Sequence, residues 1–242
     1  MNIDPAMKLK SFGCSFIFGS DLSDAGTGTV SPAPSQKTWP ALLAKAYELD
    51  YECLARPGGG NLQILDNIIA QTVDPDPALF VICWTWVDRF DYWTDQQNWA
   101  DNKFGSNQWH TIRPGTTSEQ AKFYYKQLHH AYSDKLNSLL YAKSALDLLT
   151  QKNIPFIMTC MDNLMFETAW HTSNSVQSLQ SYIQPHMTQF EGRTFLDWSR
   201  HHGYAESALM HPLEQAHQAA ADHMIKIFDK QKIIDPVLQV RA

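Results

Sequence analysis

Ala78-Leu79-Phe80-Val81-Ile82-Cys83-Trp84 is a seven-residue run without one charged or amide side chain. A strand with one wet face alternates apolar and polar residues. A run apolar throughout is what a strand covered on both faces requires, and parallel sheets flanked by helices supply that setting. The run is too short for an independent helix and too short to cross a bilayer. Its neighbours agree. Upstream, 61–73 carries Leu62, Leu65, Ile68 and Ile69 at helical spacing; downstream, 118–153 carries Leu128, Tyr132, Leu136, Leu139, Leu146 and Leu149 in the same way.

Further strands are expected at 8–15, 51–55, 154–161 and 194–198. Further helices are expected at 39–49 behind Thr38 as cap, at 175–190 with a break at Pro185, and from Pro212 to Lys230. Strands alternating with helices predict an α/β chain: three layers, α/β/α, around a parallel sheet of about five strands. The 242 residues suit one such domain. Residues 85–118 are too long and too aromatic for an ordinary connection and read as an insertion or lid. They fall in a region holding Trp84, Trp86, Trp93, Trp99 and Trp109, five of the eight tryptophans. These rings either line a rim where sugars or acyl groups are gripped or form the insertion's own small core. Residues 21–37, rich in Gly, Ser, Pro, Thr and Asp, read as a loop.

Composition narrows the function. Apolar residues make up 44% and charged residues 18%, an ordinary globular balance. A net charge of −6 argues against nucleic acid as a partner. No apolar stretch reads as a signal peptide or a membrane span, so a cytoplasmic protein without a membrane partner is expected. Met7-Lys8-Leu9-Lys10 reads as a natural start, which makes residues 1–6 a vector remnant. Cys14, Cys53, Cys83 and Cys160 lack metal-ligand spacing and are expected to be reduced, buried thiols; no metal is expected.

Ligands of open parallel sheets bind beyond the carboxyl ends of the strands, and three segments leave strand ends there. Ser11-Phe12-Gly13-Cys14-Ser15-Phe16 ends the first strand at a serine that could project its hydroxyl from the sheet edge. Serine needs a base to act as a nucleophile; taken by itself Ser15 is equally a turn residue. Ala55-Arg56-Pro57-Gly58-Gly59-Gly60-Asn61 lets backbone amides approach an anion before a helix start. It also reads as a plain turn with Asn61 as helix cap, and it lacks the ending of a phosphate loop. Met210-His211-Pro212 places His211 just outside the last helix, as a base or as a cap. His217 shares a helical face with Leu213, Ala220 and Met224 and is expected to pack in the core.

Together these segments resemble the SGNH (GDSL-like) hydrolase superfamily over about residues 8–228. Gly13-Cys14-Ser15-Phe16 is similar to its Gly-Asp-Ser segment, and Thr38-Trp39-Pro40 to the start of the following helix. Pro57 to Asn61 is similar to its glycine segment, and His211-Pro212 to its terminal His-Pro. The resemblance implies a flavodoxin-like sheet and an ester hydrolase without a cofactor. Ser15 would be the nucleophile and His211 the base, with Ser15 and Gly59 amides on the oxyanion. The substrate implied is a small or carbohydrate-linked ester. Two features depart from the pattern. The segment after the third strand, Trp84-Thr85-Trp86-Val87-Asp88-Arg89, has no Asn donor, so Asn61 or Thr85 would have to stand in. Ala208 occupies the place of the triad acid, three residues before His211. Ser15 and His211 would then act as a dyad, or Glu206 or Asp197 would serve as the acid. An acyltransferase on the same residues, or a non-catalytic carbohydrate-binding or assembly protein on this scaffold, are the alternatives.

Overall fold

The computed structural model describes residues 7–25, 33–73, 76–94 and 109–231. Residues 1–6, read as a vector remnant, lie outside them. Four parallel strands form the central sheet: β1 (Lys8–Phe12), β2 (Asp50–Cys53), β3 (Ala78–Trp84) and β6 (Phe156–Cys160). Their order is β2-β1-β3-β6, with Phe12 beside Ile82 and Trp84 beside Cys160. All seven residues of β3 are buried, as its unbroken apolar run requires. Leu79, Val81 and Cys83 face one core. Phe80, Ile82 and Trp84 face the other.

The first core is closed by α2 (Trp39–Ala46) and α8 (Glu214–Gln231), through Trp39, Leu43, Ala220 and Met224. The second is closed by α3 (Asn61–Gln71) and α5 (Ala131–Gln151), through Ile64, Ile68, Leu139 and Leu146, with α6 (Asn174–Ile183) beside α5. Three layers result. A one-turn helix α1 (Ser15–Phe18) follows β1 directly.

Three expectations are corrected. The sheet has four strands, because 194–198 is the start of helix α7 (Phe195–His201). The Thr194 hydroxyl accepts from the Asp197 N–H at 3.2 Å, so Thr-x-x-Asp is a helix start rather than a strand. The helix expected over 118–153 is two helices, α4 (Glu119–Gln127) and α5. His130 separates them by capping α5, its Nδ1 accepting from the Tyr132 N–H, and Leu128 is left exposed. Within 85–118, β4 (Phe90–Trp93) and β5 (Trp109–Ile112) pair as an antiparallel hairpin; residues 95–108 of the expected insertion lie outside the described residues. Finally, Thr38 does not cap α2 with its side chain.

That duty falls to His217, which is 1% exposed and whose Nδ1 accepts the Trp39 N–H at 3.1 Å. Burial holds the imidazole pKa down to about 3, so the ring is neutral. An unfolded histidine takes a proton below about pH 6.5, whereas the folded one does not until near pH 3. Stability therefore falls as pH drops through that window. His217→Ala should lower stability at pH 7 by ~1–3 kcal/mol. It should also lose stability less steeply than the parent protein between pH 6.5 and 5, by about 1 kcal/mol per pH unit in urea unfolding. Equal slopes would show that His217 is not held neutral.

Candidate active site

The sheet's order decides what can meet at its carboxyl edge. β1 is central, so the chain leaving it at Gly13 emerges between the ends of β2 and β3. Ser15 opens α1, and Gly19 ends that helix after one turn with its N–H on the Ser15 carbonyl at 2.8 Å. The chain then doubles back, and Asp21 returns to the same edge six residues after Ser15.

From the other end of the chain comes the loop between α7 and α8. It is pinched shut: the Ser207 N–H donates to the His211 carbonyl at 2.9 Å, and the Met210 N–H to the Ser207 carbonyl at 3.0 Å. Met210 adopts φ 64°, a left-handed conformation uncommon for a side chain of its size. His211 Nε2 lies 2.8 Å from Ser15 Oγ, and His211 Nδ1 lies 2.6 Å from Asp21 Oδ2. The Phe16 ring stands edge-on to the imidazole, with centroids 5.0 Å apart.

The protons follow from the carboxylate. Burial tends to raise the Asp21 pKa, but hydrogen bonds from Ser207 and His211 and the imidazole's charge outweigh it, and the group is held below its ordinary value. Asp21 is then an anion that only accepts, so Nδ1 carries the hydrogen and Nε2 presents its lone pair to the Ser15 hydroxyl. Ser15 itself is 7% exposed.

Of the acids expected to serve His211, neither Glu206 nor Asp197 is hydrogen-bonded to its ring among the described residues. Glu206 forks onto Arg200, at 2.8 and 3.2 Å. Asp197 sits in the first turn of α7. His211 Nδ1 faces Asp21 rather than a backbone carbonyl. In the sequence the only sign of it was an acid just past the Phe18-Gly19 helix stop.

The residues expected on the oxyanion are also engaged elsewhere. The Gly59 N–H donates to the Arg56 carbonyl at 3.1 Å, across a turn in which Gly58 takes φ 79°. Buried Asn61 clasps the chain after β3: its amide donates to the Thr85 carbonyl at 3.2 Å and its oxygen accepts the Thr85 N–H at 2.8 Å. The Thr85 hydroxyl points to the Met161 sulfur at 3.6 Å. The Ser15 N–H remains, in the first turn of α1, where a helix has no carbonyl to offer.

The glycine segment is gripped by the hairpin. Asp91, on β4, is 6% exposed. One of its oxygens accepts the Gly60 N–H at 3.0 Å and the Thr111 hydroxyl at 2.6 Å. The other accepts the Gln63 N–H at 3.0 Å. These are the two amides that a capping box serves at a helix start, and here one carboxylate from another element serves both. A Cβ on Gly60 would lie 2.6 Å from an Asp91 oxygen, which is why no side chain fits there. Arg89 donates to the Gly59 carbonyl at 2.7 Å, and Arg56 to the Trp109 carbonyl at 3.0 Å. Part of the aromatic set packs between the hairpin and α4: Phe90 stacks on Tyr124 at 4.3 Å, and Tyr92 packs against Ile112, Ala121 and Tyr124. Trp93 stays 56% exposed.

Among the described residues, no group of three or more His, Cys, Asp or Glu is placed to hold a metal ion, and no helix is long and apolar enough to cross a membrane. The four cysteines are unpaired; Cys14, Cys83 and Cys160 are buried and Cys53 is half-buried.

No protein-family model matches the sequence, and no curated protein does. Solved structures do. A member of the lipolytic G-D-S-L family from Veillonella parvula is 14% identical, with 93% of this chain and 99% of that one covered, at a TM-score of 0.51. A psychrotrophic esterase from Pseudoalteromonas sp. is 12% identical, with 93% and 97% covered, at 0.48. A lipolytic G-D-S-L protein from Desulfitobacterium hafniense is 11% identical, with 91% and 98% covered, at 0.48. The fold is therefore SGNH-like, as the first of these shows. The reaction has to be read from this chain's own residues.

The shared carboxylate of Asp91 makes a coupled prediction. Gly60→Ala should cost ~1–3 kcal/mol by overpacking, and Asp91→Ala ~0.5–2 kcal/mol by uncapping α3. In the double variant the new methyl has the space the carboxylate left. The two costs should then sum to about 1 kcal/mol less than if independent. Strict additivity in urea unfolding would contradict the contact.

Proposed function

We propose that this chain is a serine ester hydrolase working through Ser15, His211 and Asp21. One observation carries the reading: an unbroken line of short contacts, Ser15 Oγ to His211 Nε2 at 2.8 Å and His211 Nδ1 to Asp21 Oδ2 at 2.6 Å. A serine hydroxyl, an imidazole in the accepting tautomer and an ionised carboxylate in that order are the parts of an activated nucleophile.

Ser15 Oγ attacks the ester carbonyl while Nε2 removes its proton. The imidazolium that forms is held by the Asp21 anion. The oxyanion falls to the Ser15 N–H, one of the donors that a helix start leaves without a carbonyl. Collapse expels the alcohol, which takes the proton from Nε2. Water, activated by the same nitrogen, then attacks the acyl-serine and restores Ser15. This chemistry asks for no cofactor. The whole chain acts as one domain, and the paired strands β4 and β5 sit at the rim as part of its insertion. Exposed Trp93 offers a ring face on which a sugar can lie, so small or carbohydrate-linked acyl esters are the substrates proposed.

Ser15→Ala should lower turnover of a short activated ester by roughly three or more decades, and Asp21→Asn by about two to four decades, both with native circular dichroism. Asp21 stays ionised through the neutral range. Its pKa is lowered, so its stabilising contribution is present above its unfolded value near 3.8 and is lost only as pH falls below. A well-folded Asp21→Asn protein with parental turnover would remove the carboxylate from the mechanism.

A further inference from the structure

The Asp21 oxygen that meets His211 accepts a second donor. Ser207 Oγ lies 2.5 Å from Asp21 Oδ2, the same atom that His211 Nδ1 approaches at 2.6 Å. Ser207 Oγ in turn accepts the His211 backbone N–H at 3.3 Å and the Leu209 N–H at 3.1 Å. A hydroxyl has one proton to give and two lone pairs to offer. Two backbone amides fill its accepting side, so its proton goes to the carboxylate. The contacts close a triangle: Asp21 to His211 side chain, His211 main chain to Ser207, Ser207 to Asp21.

We propose that Ser207 is a positioning residue that fixes both the place of Asp21 and its strength as partner to His211. This inference deepens the Ser15–His211–Asp21 reading and rests on it. The carboxylate comes from the loop after α1 and the imidazole from the loop before α8, 190 residues apart. A single Nδ1–H bond would leave the carboxylate free to turn about its own bond and the ring free to follow. Ser207 ties the carboxylate to the histidine's own loop at a second point, so the two move together. Its O–H also draws negative charge away from Oδ2 and weakens the anion's pull on the imidazole proton.

The other titratable groups of these loops are engaged elsewhere. Glu214 is held down at about 2, first by the Ser23 N–H at 2.8 Å, with Lys37 3.9 Å away. Buried His217 is neutral. Asp24 accepts the Ser35 hydroxyl at 2.5 Å and the Gln36 N–H at 2.8 Å. None of these is hydrogen-bonded to the Asp21 carboxylate among the described residues.

The test compares Ser207→Ala with Ser207→Thr, which keeps the hydroxyl. In the alanine variant kcat should fall about tenfold to a hundredfold, with KM within about threefold of the parent. The acid limb of its pH profile should move to higher pH, because a less satisfied carboxylate holds the imidazolium harder. Threonine should restore both. The proton uptake of His211 followed by NMR should move the same way, and that readout needs no turnover. Parental kcat with an unmoved profile in Ser207→Ala, or threonine falling as far as alanine, would overturn the role of Ser207. If the parent protein hydrolyses no ester, the reaction itself fails. NMR then decides about Ser207 separately: an upward move in the alanine variant supports it, and an unmoved titration overturns it.

Discussion

One carboxylate joins the two ends of the chain. Asp21 lies a few residues past the first strand, His211 just before the last helix, and their 2.6 Å contact exists only because the sheet puts β1 at its centre. A central first strand delivers Ser15 to the middle of the carboxyl edge. The one-turn helix that follows is too short to carry the chain away, so Asp21 comes back to the same edge. The last helix packs on the face closed by α2, held there in part by His217 at the α2 start, and its preceding loop has to cross that edge. The line of contacts from Ser15 through His211 to Asp21 is thus a consequence of strand order, one helix stop and one helix docking.

The same edge shows why Asp21 differs from its neighbours. Asp88 and Asp162, past the ends of β3 and β6, and Asp91, on β4, are pushed above the ordinary carboxylate range, first of all by burial, Asp162 to about 6. Asp91 makes three hydrogen bonds and still rises, because it is far more deeply enclosed. Asp21 has a quarter of its side chain open to solvent, and its two donors converge on a single oxygen. Moderate burial with strong donors keeps a negative charge, and a negative charge is what orients an imidazole.

Much of the architecture was legible because it rests on local pattern. The apolar run at 78–84 announced a strand covered on both faces, and the glycine-rich and histidine segments announced strand ends and a helix start. Failures came where a short apolar run met a capping signal. Thr194-Phe195-Leu196-Asp197 has strand composition and helix-start chemistry, and the hydrogen bond from the Asp197 N–H decides it. At the site, Ser15 and His211 stood out by position. Asp21 did not, because nothing in a sequence ties residue 21 to residue 211. Gly60 stood out as a glycine but for another reason than the one read. Its missing side chain makes room for Asp91, a fact visible only once the hairpin is folded against the loop.

The central claim is that Ser15 is a nucleophile activated by His211. The most direct measurement is reaction of the folded protein with a fluorophosphonate probe at neutral pH, followed by intact mass and peptide mapping. The account predicts a single adduct on Ser15, formed rapidly by the parent protein and lost in a folded His211→Ala variant. An unlabelled Ser15, or labelling that is indifferent to His211, would contradict it.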